Sequence, residues 1–133
     1  MSETESDRPE RRWIQYTRED LAATLNTSLL ARQRCLFAQQ AAEKGIKGLL
    51  VRAGLEYPYS HDLNYLRTLI PDGLRSRDTL PDMGWLTIWA IRSRYPVDFP
   101  EATNEEAERA ASEARAVIEI IEQDLAEDPH PAD

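Results

Sequence analysis

The last third of the chain constrains the fold most. Ala107, Ala110, Ala111, Ala114, Val117, Ile118, Ile121 and Leu125 recur at spacings of three and four. That period places all eight on one face of a helix, whereas a strand needs a period of two. Thr103 supplies the start of this helix. The same period runs through the rest of the chain. Thr17 is expected to cap a first helix, with Glu19 and Asp20 in its first turn and Leu21, Leu25 and Leu29 on one face. Residues 31–53 form a longer pattern through Cys35, Ala38, Ala42, Gly45, Ile46, Leu49 and Ala53, stopped by Gly54. Ser60 is expected to cap a short helix carrying Leu63, Leu66, Leu69 and Ile70, ended by Pro71-Asp72-Gly73. A fourth stretch, about 80–93, presents Trp85, Ile88, Trp89 and Arg92 before Tyr95-Pro96 breaks it. No segment alternates convincingly. The expectation is an all-α protein, an up-and-down four-helix bundle with one short extra helix.

A length of 133 residues points to one domain. Its expected extent is residues 13–126, between polar tails at 1–12 and 127–133; His130 lies in the second tail. No stretch approaches the ~18 apolar residues of a membrane span, and the first residues lack the apolar core of a secretory signal. A cytoplasmic location is expected, with no membrane partner. The net charge of −8 divides unevenly: residues 1–10 carry −3, residues 11–100 carry +4 and residues 101–133 carry −9. A general nucleic-acid coat protein would be basic overall, so any polyanion would have to be met by the middle block.

The residues exclude several enzyme classes. Cys35 is the sole cysteine and the histidines are only His61 and His130, too few for a multi-cysteine or multi-histidine metal centre. A Glu-x-x-His motif on each of two helices, His-Glu-x-x-His and a phosphate-cradling P-loop are absent. Cys35 falls on an apolar helical face and reads as a core thiol. No cofactor is expected. Three polar groups remain, each with two readings. Glu43, Lys44 and Lys47 either border a binding site or form a solvent-facing i,i+4 pair. Arg92 and Arg94 with Tyr95 either hold phosphate and stack a base, or answer the dipole at a helix C-terminus. His61 and Asp62 either mark an anion site at a helix start or cap and tether a loop.

Taken in order, Leu36-Phe37-Ala38-Gln39-Gln40-Ala41-Ala42-Glu43-Lys44 with Lys47, Ser60-His61-Asp62-Leu63, and Arg94-Tyr95-Pro96 resemble the HEPN family, the higher eukaryotes and prokaryotes nucleotide-binding domain. The resemblance runs from about Trp13 to Leu125 and implies a helical bundle of four or five helices, commonly a homodimer. Many HEPN proteins are metal-independent ribonucleases whose signature is an Arg followed four to six residues later by a His. Here Arg92 and Arg94 are followed by Tyr95-Pro96-Val97-Asp98-Phe99-Pro100-Glu101, and His61 precedes both, so the signature is missing. The chain looks instead like the branch with an Arg-Tyr-Pro segment, often encoded beside a minimal nucleotidyltransferase. That implies nucleotide or RNA binding within a toxin–antitoxin or defence-like module.

The resulting expectation is a non-catalytic module that binds nucleotide or RNA phosphate through Arg92, Arg94 and Tyr95, with Glu43, Lys44 and Lys47 opposite and His61 and Asp62 nearby. The alternatives are a purely structural dimeric interaction subunit and a divergent metal-independent ribonuclease using His61. The 80–95 stretch holds more large apolar side chains than one helical face can bury. An isologous homodimer with Trp85 or Trp89 at its contact is therefore expected.

Overall fold

The computed structural model describes residues 8–95 and 97–127, the last of these in its backbone only. Six helices follow in order: α1 (Arg11–Thr24), α2 (Ala31–Arg52), α3 (Leu63–Thr68), α4 (Ser76–Thr79), α5 (Gly84–Arg92) and α6 (Asn104–Glu127). No strand occurs among the described residues. The all-α expectation holds, with two short helices, α3 and α4, where one was expected.

Helix α2 is the axis of the molecule. It buries fourteen of its 22 residues, polar ones included, because elements pack on several of its sides. Helix α1 runs antiparallel to it: the Thr24 hydroxyl donates to the Arg34 carbonyl at 2.7 Å, and the other end of α1 lies over Gly48. Helix α6 runs parallel to it, pairing Glu108 with Arg34 at one end and receiving an Arg52–Leu125 carbonyl bond at the other. The core between them joins Ala38, Ile46, Leu49 and Leu50 of α2 to Ala107, Ala114, Ile118 and Ile121 of α6. Gly45 and Gly48 make these approaches possible. A Cβ at Gly45 would stand 3.0 Å from Ile118 Cδ1, and one at Gly48 would stand 3.0 Å from Trp13 Cβ.

Several helix limits differ from expectation, for local reasons. Helix α1 begins at Arg11, ahead of Thr17. Thr17 is buried within α1, and its hydroxyl donates to the Trp13 carbonyl one turn back instead of capping. Asp62, not Ser60, caps α3: its Oδ1 accepts from the backbone N–H of Asn64 and Tyr65, while Ser60 Oγ accepts from Asp62 N–H. Helix α5 starts at Gly84 instead of 80, because Asn64 holds the preceding loop through the Asp82 carboxylate and the Met83 N–H. Helix α4 has no cap of its own. Asp124 of α6 accepts from the N–H groups of Arg75 and Ser76 at 3.1 and 2.8 Å, so a residue about fifty positions away orders its first turn. Two ends match expectation. Gly54, at φ +77°, closes α2 with Leu55 N–H on the Leu50 carbonyl and its own N–H on Val51. Thr103 and Glu106 form a reciprocal capping box at the start of α6. His130 lies outside the described residues.

Candidate functional site

Gln39, Glu43 and Lys47 occupy successive turns of α2, so their side chains line up along one face. The loop before α3 brings His61 against them. Gln39 Nε2 donates to Glu43 Oε1 at 3.1 Å and to the His61 carbonyl at the same distance. Lys47 Nζ donates to Glu43 Oε2 at 3.0 Å, and His61 Nδ1 lies 2.8 Å from Glu43 Oε1. Both carboxylate oxygens are thereby engaged. Gln39, Glu43 and Lys47 are all buried, and His61 is about one-third exposed.

Burial alone would raise the Glu43 pKa. The hydrogen bonds from Gln39, His61 and Lys47, with the Lys47 charge, outweigh it and hold the carboxyl below its usual range. An ionised Glu43 carries no proton, so Nδ1 of His61 must be the donor. Nε2 is then left without a partner among the described residues. A carboxylate that orients a ring and sets its tautomer, with the second nitrogen open, is the arrangement by which proteins ready imidazole for contact with a ligand.

Aromatic rings surround this cluster. Tyr59, 96% exposed, meets the His61 ring edge-on with centroids 5.7 Å apart. Lys47 Nζ stands 5.5 Å over the Tyr57 ring, and Tyr57 packs edge-on against Trp13 at 4.8 Å. Sequence reasoning passed over Gln39, Tyr57 and Tyr59 as site residues. The 39–43–47 spacing was the signal for Gln39. The pair of tyrosines just before His61 was the signal for the rings.

The other candidate residues divide into engaged and open groups. Asp62 is occupied as the cap of α3. Lys44 pairs with Asp20 at 2.7 Å and lies over Tyr16. Arg92 donates to both oxygens of Glu106 at 2.9 and 3.2 Å and stacks on Trp89 at 4.2 Å. This makes it a tether between α5 and α6. Arg94 and Tyr95 are exposed just beyond α5. Arg92 pairs with Glu106 at the start of α6 and has no hydrogen bond to Gln39, Glu43, Lys47 or His61 among the described residues. Trp89 is 1% exposed and packed within the chain, so it has no surface to offer a partner. Trp85, half-buried, packs edge-on against Trp89 beneath the Arg109 guanidinium. Cys35 is fully buried; burial pushes its thiol up to about 12.

No group of three or more potential metal ligands gathers among the described residues. No helix there is long and apolar enough to cross a membrane.

The family model described as HEPN domain matches residues 11–124. Two solved structures share the fold. TT1696 from Thermus thermophilus is 27% identical, with a TM-score of 0.77, covering 89% of this chain and 99% of that one. ST0689, an archaeal HEPN homologue, is 22% identical, with a TM-score of 0.64, covering 86% and 95%. None of the curated proteins compared matches the chain. A family match from the start of α1 to within three residues of the end of α6, over a fold shared with an archaeal HEPN homologue, places this chain in the HEPN domain family.

Proposed function

We propose that this protein is a non-catalytic nucleotide- or RNA-phosphate-binding helical module that acts beside a nucleotidyltransferase in a toxin–antitoxin or defence-like system. The observation that carries the binding reading is the Glu43–His61 pair: its carboxylate is closed off below by Gln39 and Lys47, while the imidazole reaches the surface beside Tyr59. With Nδ1 as the donor, Nε2 of the neutral imidazole accepts a hydrogen bond from a sugar hydroxyl and, on the protonated ring, donates one to phosphate; an exposed tyrosine offers a face for a base. Arg94 and Tyr95 provide an exposed guanidinium and a second exposed ring for the same class of ligand. Arg92 has no part in this reading, because Glu106 neutralises it. The partner and the system rest on the family resemblance alone.

Titration of ATP, GTP and a short single-stranded RNA at two salt concentrations tests the proposal. Binding should weaken at least tenfold in His61→Ala and Tyr59→Ala with the melting temperature nearly kept, and should fall as salt rises. No binding to any of the three by the folded protein would overturn it. Metal-independent RNA cleavage abolished by His61→Ala would replace it with the ribonuclease reading.

A second reading has its own support. Ile88, Ile91 and Tyr95 are 48%, 56% and 53% exposed on and just after α5, too large an apolar set for a helix end that faces only water. A homodimer joined through this face, with Trp85 at its margin, would cover them. Light scattering decides: a monomer at micromolar concentration removes this reading.

A further inference from the structure

Helix α5 has two different flanks. Trp85 and Arg92 stand two turns apart on one of them and turn toward α6, where Trp85 lies beneath Arg109 and Arg92 pairs with Glu106. Thr87 and Arg94 each come two positions later, about 200° farther round the helix at 3.6 residues per turn. The Arg94 N–H donates to the Ile91 carbonyl at 2.9 Å, so the helical turn continues past Arg92 and keeps this phase. The second flank meets the loop that carries His61: the Leu63 N–H donates to Thr87 Oγ1 at 3.1 Å. Arg94 therefore lies on the same side of α5 as His61, and Arg92 lies on the other. Ile91, on the same face as Thr87 and Arg94, is 56% exposed between them.

The two ends of this flank favour different groups. At one end, Nε2 of the neutral His61 ring is an acceptor. Asp62 beside it is exposed and adds negative charge, although its Oδ1 takes two backbone N–H groups. Both favour a hydroxyl over a phosphate. At the other end the Arg94 guanidinium is exposed and favours phosphate. Asp98 and Glu101, exposed in the loop that follows, form no ion pair with it. An open ring stands at each end: Tyr59, edge-on to His61, and Tyr95, next to Arg94.

The distance between the ends sets the size of the ligand. Thr87 to Arg94 covers about 10 Å at 1.5 Å per residue, and successive phosphates of a stacked strand are about 3.4 Å apart along its axis. A sugar hydroxyl at His61 and a phosphate at Arg94 then belong to different nucleotides. We propose that His61 and Arg94 hold the two ends of one single-stranded oligonucleotide of three or more residues, laid along this flank of α5. Tyr59 and Tyr95 stack its outer bases, and Ile91 lies beneath its middle. The proposal rests on the nucleotide-binding reading and adds the length and orientation of the ligand.

The probes are AMP and oligoadenylates of two to six residues, titrated into the full chain by calorimetry. Affinity should rise about tenfold or more from AMP to the tetramer and then level off. In His61→Ala and in Arg94→Ala the tetramer should bind no better than AMP. Ile91→Glu, which places a negative charge under the strand at an exposed position, should weaken the tetramer about fivefold or more while the melting temperature holds. Equal affinity for AMP and the tetramer in the parent would overturn the proposal and leave the nucleotide-binding reading standing; no binding of any probe would remove both. Tetramer affinity that survives Arg94→Ala would also overturn it. So would a dimer in light scattering that Ile91→Glu dissociates without change in tetramer affinity, since the flank would then belong to a second copy of the chain.

Discussion

His61 Nδ1 stands 2.8 Å from Glu43 Oε1, across eighteen positions of sequence, and this contact ties the loop before α3 to the central helix. The carboxylate that makes it is also the sole hydrogen-bonding partner of the Lys47 ammonium among the described residues. Glu43→Gln therefore leaves the buried Lys47 ammonium without a counter-charge, over the Tyr57 ring. Removing one partner of a buried pair typically costs about 3 kcal/mol or more. Urea unfolding at neutral pH should show a loss of that order, whereas His61→Ala, at a partly exposed ring, should cost less than about 1.5 kcal/mol.

The same network sets a pH dependence. The Glu43 carboxyl is held below its usual range in the folded protein, so the unfolded chain binds its proton first as pH falls. The stability it contributes is complete above the unfolded value, about 4.3, and is lost as pH drops through the lower folded value. Glu106, lowered by its Thr103 and Arg92 bonds against the effect of burial, adds to the same window. Stability measured from pH 5 down to pH 2 should fall less steeply in Glu43→Gln and in Glu106→Gln than in the parent. Parallel slopes would contradict the assignment.

Arg92 and Arg94 should separate cleanly. Arg92→Ala removes a two-pronged ion pair with Glu106 and a guanidinium stacked on Trp89, which together are worth roughly 2 kcal/mol. Arg94 is exposed, and Arg94→Ala should change stability by less than about 0.5 kcal/mol. On the binding reading the order reverses, with Arg94→Ala weakening RNA and Arg92→Ala acting only as far as it loosens the fold. Thermal unfolding and RNA titration on the two variants provide both readouts.

These pairs also explain what could be read from sequence. The stripe from Ala107 to Leu125 and the 31–53 pattern are dense in apolar residues at helical spacing, so α2 and α6 were legible nearly to the residue. The start of helix α1 is hard to read because Arg11, Arg12, Gln15, Thr17 and Arg18 break up its apolar pattern; it depends on Trp13 and Ile14 lying over Gly48. Helix α4 was invisible because its cap, Asp124, comes from another helix. At the site, the 43–47 pair was legible by its spacing, but its burial was not. A Glu-Lys pair on a solvent face and one sealed beneath His61 have the same sequence signature, and only tertiary packing separates them. Arg92 presented the same difficulty, since nothing local announces that Glu106 waits fourteen residues on.

Gly45 and Gly48 sit one turn apart on the same helix, and their alanine variants should diverge. Alanine in a helix interior gains about 1 kcal/mol over glycine, so the sign depends on what the new methyl meets. At Gly45 the nearest atoms are Cδ1 of Ile118 and of Ile121, at 3.0 and 3.2 Å. These are ends of side chains that can rotate by a few tenths of an ångström, although both are buried in the core. At Gly48 the nearest atom is Trp13 Cβ at 3.0 Å. That atom is fixed to the α1 backbone, and Trp13 is itself held against Tyr57 at 4.8 Å. Relief there requires α1 to move away from α2, and overpacking of this kind costs about 1–3 kcal/mol. Gly45→Ala should be close to neutral and Gly48→Ala destabilising by about 1 kcal/mol in urea unfolding. Because Trp13 backs the Tyr57 ring under Lys47, Gly48→Ala should also shift the indole and Lys47 resonances, while Gly45→Ala leaves them in place.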